Sequence, residues 1–226
     1  MSSQIALENK DVSKRGLVSL PRTLSHGHRV DVLAERIALH IESLVPQGRA
    51  RCLDIGCGDM QLAEAVRARA PRTDWRCIDM HRPPAGFRED GRWSKYRQFD
   101  GRRIPHADRE FDVALLCDVL QHHAPEDAAQ LLAEAGRVAE HVLVKDHFEF
   151  GAYSRTMLRL MDFVGSLGDG LGVPERYFTR EGFVRLAKEQ RFVITALDSG
   201  LDLYDHLPGL GTLLRRDWQF IAVLHH

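Results

Sequence analysis

Acids and glycines at two neighbouring points of the chain carry the clearest chemistry. The run Arg51-Cys52-Leu53-Asp54-Ile55-Gly56-Cys57-Gly58-Asp59-Met60 passes through an acid, bends at two glycines and opens a helical pattern. About twenty residues on, a second apolar run, Cys77-Ile78-Asp79-Met80, reaches another acid. Glycines let the backbone turn sharply and approach a ligand closely, which a Cβ would obstruct. Asp79 is placed to accept hydrogen bonds from a ribose diol at the carboxyl end of its strand. Asp54 sets the sign of the ligand, because a carboxylate beside the bend repels a pyrophosphate and attracts a cation. The third glycine of a dinucleotide fingerprint is absent, with Gln61 in its place.

In these residues the sequence resembles the class I S-adenosylmethionine (SAM) dependent methyltransferases, whose first motif reads acid-x-Gly-x-Gly and whose cofactor carries an ammonium and a sulfonium. Further motifs fall in the family's order. The resemblance implies that Asp54, Gly56, Cys57, Gly58, Asp79 and Met80 hold the cofactor. It also implies that Asp100 accepts from the adenine amino group while Gly101 lets backbone approach the ring. The dipeptide Asp100-Gly101 also favours a turn by itself. The apolar run Phe111 to Cys117, followed by Asp118-Val119-Leu120-Gln121-His122-His123, matches a later family motif. There the backbone at Cys117 would meet the methionyl amine, with Asp118 beside it and His122 lining the cleft. A solvated histidine pair is the competing reading.

For the chemistry itself the first choice is Asp146-His147, where a fifth strand delivers an acid and an imidazole to the cleft. A histidine at that position can accept a proton near neutral pH. Tyr177 is the third candidate. The alternative is that Asp146 anchors a loop and His147 packs.

The elements that must position these groups follow from periodicity. Val30, Leu33, Ile37, Ile41 and Leu44 recur at helical steps, so a helix runs from Thr23 or Ser25 to about Leu44. Strands are expected at 51–55, 75–79, 96–99, 111–117 and 141–145, with helices at 60–70 and 124–139 between them. This alternation implies a Rossmann-like α/β fold, a seven-stranded mostly parallel sheet with helices on both faces. Two antiparallel strands, 192–196 and 218–224, complete it. Residues 1–22 read as a frayed tail or a lid over the cofactor, and 23–226 as the SAM-binding domain. Within it, 148–178 reads as a substrate-covering insertion with a helix at 150–164, a glycine-rich loop at 165–174 and a helix capped by Thr179.

At 226 residues the chain fits one such domain. Its formal net charge is −1 with both signs interspersed, which argues against nucleic acid as a substrate. The four cysteines (Cys52, Cys57, Cys77, Cys117) form no C-x-x-C pair and read as buried thiols of a cytoplasmic protein, with no metal expected. No apolar stretch is long enough to span a bilayer. The oligomeric state is not legible.

The resemblance implies methyl transfer to a small molecule, giving S-adenosylhomocysteine. A second reading takes SAM as sole substrate, as in the azetidine-2-carboxylate synthases of the same fold. There a dry aromatic cage of Phe148, Phe150, Tyr153, Phe163, Tyr177 and Phe178, without a polar acceptor-binding cluster, would favour ring closure and release of methylthioadenosine. A third is a SAM-binding module without catalysis.

Overall fold

In the computed structural model, residues 27–82, 91–166, 172–204 and 214–226 are described. Alternating apolar runs and amphipathic helices produce seven strands: β1 (Ala50–Ile55), β2 (Thr73–Asp79), β3 (Tyr96–Gln98), β4 (Phe111–Cys117), β5 (Ala139–His147), β6 (Val193–Ser199) and β7 (Gln219–His225). They form one sheet in the order β3-β2-β1-β4-β5-β7-β6. β1 to β5 are parallel to their neighbours, whereas β7 lies antiparallel between β5 and β6. The strand order reverses between β1 and β4, and such a switch point opens a crevice at the carboxyl ends. The expected mostly parallel seven-stranded sheet is what the chain forms.

Among the described residues five α-helices cover it: α1 (27–44), α2 (Gln61–Arg69), α3 (Pro125–Val138), α4 (Ala152–Ser166) and α5 (Arg180–Glu189). α1 and α2 bury Leu33, Ile37, Ile41, Ala63 and Val66 on the sheet face that carries Cys52, Leu143 and Val223. α3 and α5 bury Leu131, Leu132, Ala135, Phe183 and Ala187 on the other face, against Leu53, Val144 and Phe220. Pro125 at the start of α3, with Glu126 and Asp127 in its first turn and Arg137 in its last, fits the helix dipole at both ends. Thr179 caps α5 as expected, its Oγ1 accepting from Gly182 N at 3.0 Å.

Two expectations shift. β5 reaches two residues past Lys145, because β7 pairs with it from His141 through His147. Asp146 and His147 are therefore ladder residues opposite Phe220 and Gln219 rather than members of a loop. α4 continues to Ser166, two residues past the end expected at Val164. The possible lid at 1–22 lies outside the described residues, as do the helix start expected at Thr23 or Ser25 and part of the glycine-rich loop. Among the described residues no helix is long and apolar enough to cross a membrane.

The carboxyl half of the sheet is locked by an aromatic stack. Phe148 lies against Phe220 with ring centroids 3.9 Å apart and planes 11° from parallel, and Phe183 closes on both. Phe220→Ala should destabilise the fold by about 3–5 kcal/mol, through lost transfer energy and the cavity left behind. Urea denaturation at constant slope would measure it, and a loss under 1 kcal/mol would mean the stack repacks.

Candidate active site

β1 ends where Gly56 takes a φ of 76°, and a Cβ there would come within 2.5 Å of Val119 Cγ2. Only glycine fits that approach. Gly56 N and Cys57 N both donate to Ile78 O, at 2.8 and 3.2 Å, which ties the bend to the end of β2. Gly58 also has positive φ, 51°, yet nothing stands within 4 Å of its Cβ position, so the bend is open on that side.

Asp79 braces this bend. Its Oδ2 accepts from Gly58 N and its Oδ1 from His81 N, each at 2.9 Å. Each carboxylate oxygen can accept a further hydrogen bond from a ribose diol. Asp54 is buried (3% exposed), and burial, reinforced by Asp79 and Asp59, pushes its carboxyl up to about 7. A cation entering the bend would draw it back towards the ionised form. Met80 meets Gly101, whose φ is 79° and whose Cβ position lies 2.5 Å from the Met80 sulfur. The structure thus brings Asp54, Gly56, Cys57, Gly58, Asp79, Met80 and Gly101 to one end of the sheet. Asp100 forms a turn: its Oδ1 accepts from Arg102 N and Arg103 N, both at 2.9 Å, and these bonds lower its pKa.

The second half of the site lies at the ends of β4 and β5. Cys117 pairs with Lys145, and Asp118 follows in the left-handed region (φ 56°), its N donating to Lys145 O at 2.8 Å. That conformation is uncommon outside glycine, and it aims the carboxylate at three cations or donors. Lys145 Nζ sits 2.5 Å from Asp118 Oδ1, His147 Nδ1 3.3 Å from the same oxygen, and Arg29 Nη2 of α1 3.6 Å from Oδ2. Burial opposes the charge on Asp118, but Lys145, His147 and Arg29 outweigh it and hold the pKa well below the usual range. Lys145 is fully buried, and Asp118 and Cys117 keep its pKa raised against that burial. The pair is an ionised salt bridge.

His147 is buried too, and burial followed by the Lys145 charge holds its pKa well below the ordinary value. Its Nδ1 lies 2.9 Å from Gln121 Oε1. With an amide oxygen and a carboxylate as its two partners, Nδ1 carries the proton and Nε2 is left as the acceptor atom. Asp146 accepts from His147 N at 2.8 Å and Gln121 N at 3.3 Å. Burial and the Asp118 charge raise its pKa well up. The base expected of the pair thus reduces to a neutral imidazole, with Asp146 holding backbone. Tyr177 packs edge-on to His147 with centroids 5.8 Å apart, and its hydroxyl donates to Asp162 Oδ2 at 2.7 Å. His122 is not merely solvated, since its Nδ1 lies 3.1 Å from Gly172 O.

Two sequence expectations are overturned. The six aromatics do not converge into a cage. Phe148 and Phe178 pack on Phe183 in the core, Phe150, Tyr153 and Phe163 are each more than half exposed, and Tyr177 alone lies against His147. The six sit on different elements: Phe148 and Phe150 follow β5, Tyr153 and Phe163 are on α4, and Tyr177 and Phe178 precede α5. A polar cluster does stand there, built from Asp118, Gln121, Lys145, His147 and Arg29. Lys145 could have been found as the one charge in Val142-Leu143-Val144-Lys145. Asp118, Asp146 and His147 have metal-ligand spacing, but the Lys145 ammonium already occupies Asp118.

Residues 53–141 match the family described as Methyltransferase domain. Among solved structures, a Burkholderia thailandensis 1,6-didemethyltoxoflavin-N1-methyltransferase, crystallised with 1,6-didemethyltoxoflavin and S-adenosylhomocysteine, superimposes with a TM-score of 0.60 at 13% identity. The match covers 85% of this chain and 77% of that one. A SAM-dependent methyltransferase from Methanosarcina mazei gives 0.58 at 17% identity over 79% of this chain and 93% of that one. The magnesium protoporphyrin IX methyltransferase from Synechocystis, with bound S-adenosylhomocysteine, gives 0.58 at 14% identity over 90% and 84%. No curated protein matches the chain in sequence. Residues 53–141 are thus similar to a methyltransferase domain, and the chain has the fold that these solved methyltransferases share.

Asp54 makes the stability of the fold pH-sensitive. Its pKa rises from 3.8 to about 7 on folding, so the folded chain keeps a proton that the unfolded chain gives up. This group's contribution is therefore most favourable below pH 4, falls as pH rises through the window to about 7, and is flat beyond. Asp54→Asn should gain stability over the parent by about 2–3 kcal/mol more at pH 8 than at pH 5. Urea denaturation at both pH values measures the gap, and an unchanged gap would mean Asp54 is ionised throughout.

Proposed function

We propose that this chain is a SAM-dependent methyltransferase acting on a small molecule, with S-adenosylhomocysteine as the second product. The observation that carries the proposal is the open glycine bend between the Asp54 and Asp79 carboxylates. Two acids suit a nucleoside bearing positive charge and would repel a diphosphate. Asp79 would hold the ribose and Asp54 the positive methionyl end. Gly56 and Gly58 would admit the ligand to the backbone, and Met80 with Gly101 would wall the adenine. Asp100, Cys117, Asp118 and His122 are assigned to the same cleft. The Burkholderia protein, whose crystal holds a small heterocycle and S-adenosylhomocysteine, agrees with this reading.

When bound, SAM supplies an electrophilic methyl group. The chain must bind, align and exclude water. An O–H or N–H nucleophile becomes strongly acidic as its bond to carbon forms, so a weak base suffices late in the step. Neutral His147 meets that need: Nε2 can accept a hydrogen bond from the nucleophile and then its proton, while Gln121 and Asp118 hold Nδ1–H. Asp118 stabilises the resulting imidazolium, and Tyr177, fixed through Asp162, sets the edge of the ring.

Transfer is favoured over intramolecular cyclisation because the aromatic cage that ring closure calls for is dispersed, whereas a polar cluster stands at the ends of β4 and β5. A purely regulatory module would need a filled or broken bend, and Gly58 is open.

Mass spectrometry of the adenosine product, with SAM alone and then with candidate phenols, alcohols and amines, tests the choice. S-adenosylhomocysteine appearing only with acceptor is expected. Methylthioadenosine beyond spontaneous decay without acceptor would establish the cyclase instead. Asp79→Ala should weaken SAM binding by about 1–3 kcal/mol, read by calorimetry. His147→Ala should lower turnover by about 100-fold with SAM affinity intact. Equal turnover would remove His147 from the chemistry.

A further inference from the structure

We propose that Glu140, His141 and His225 form a binding site for one divalent transition-metal ion of the zinc type, at the opposite end of β5 from the candidate active site. His141 and His225 are direct cross-strand partners of β5 and β7, so their side chains leave the sheet on one face. Their Nδ1 atoms stand 3.3 Å apart, with ring centroids at 4.9 Å and planes 35° apart. Two imidazole nitrogens that close share either a proton or a cation. Tetrahedral zinc with Zn–N bonds of about 2.0–2.1 Å sets its nitrogen ligands about 3.3–3.4 Å apart, which is the spacing already present.

Glu140 adds the negative charge that a dication needs. Its Oε1 lies 3.9 Å from His141 Nε2, and with the side chain 57% exposed it is free to swing. One ligand atom from each of the three residues falls within 4.8 Å of the others. Asp112 is held by Arg51 through Oδ1 and Oδ2, and Arg109 reaches towards His226 O at 3.5 Å. Three protein ligands leave the fourth position to water. A metal there pins β7 to β5 at the far end of the ladder that carries His147. It lies about 15–20 Å from that residue, given the rise of a strand, so loading it does not depend on the methyltransferase reading.

The test uses the whole chain, stripped with chelator and transferred to chelator-free buffer. Zinc titration by calorimetry should show binding that His141→Asn and His225→Asn each weaken at least tenfold, with Glu140→Gln weakening it less. His226→Asn, at the neighbouring position, should bind as the parent does. Cobalt(II) should give the visible absorption of a low-coordinate nitrogen–oxygen site in the parent, and zinc should raise its Tm. Parent-like zinc affinity in both histidine variants would overturn the proposal. So would no binding by the parent at about 100 μM zinc, since the two rings then share only a hydrogen bond.

Discussion

Everything at the cofactor end depends on one electrostatic constraint. Asp54 is buried at the end of a central strand beside two more carboxylates, and folding alone leaves it about half protonated at neutral pH. The fold thereby holds a negative site that a cation completes. Glycine at 56 and 58 is the geometric counterpart: Val119 closes one side of the bend, and the other stays open. A site of this kind discriminates by charge before any particular hydrogen bond is made. It also explains why a loop so like a dinucleotide bend need not take a dinucleotide.

The ends of β4 and β5 solve the opposite problem. Lys145 is fully buried, which would ordinarily strip its charge, but Asp118 sits on it at 2.5 Å. Breaking such a pair leaves an uncompensated buried charge, so the two must persist together. The left-handed turn at Asp118 lets one carboxylate serve Lys145, His147 and Arg29 at once. Arg29 comes from α1, so the helix before the sheet takes part in a site otherwise built from its strands. His147 then gains a fixed tautomer from Gln121, and its neutrality follows from burial and the neighbouring ammonium.

Much of this was legible in the chain. The succession of strands and helices, the bend, the acid that ends β2, the acidic first turn of α3 and the cap of α5 follow from periodicity, glycine chemistry and helix-end rules acting locally. The length of β5 did not, because Asp146 and His147 become strand residues only through β7, some seventy positions later. The aromatics scatter because they belong to different elements, the segment after β5, α4 and the stretch before α5. A list of ring-bearing residues cannot say which face each one takes, and Phe148 turns to the core where Tyr177 turns to His147. Lys145 carried a readable signal, a charge inside an apolar strand. Arg29 carried none, since one basic residue near the start of an amphipathic helix is ordinary surface composition. The turn at Asp100 shows the converse, local chemistry expressed as the dipeptide favours.

The most direct measurement of the charge claim is proton release on SAM binding, from calorimetric titrations at pH 6.5 in buffers of different ionisation enthalpy. Most of one proton should leave the parent chain on binding, because the cation forces Asp54 into its ionised form, and the release should vanish in Asp54→Asn. Binding without proton release, or release that persists in the Asn variant, would contradict the account.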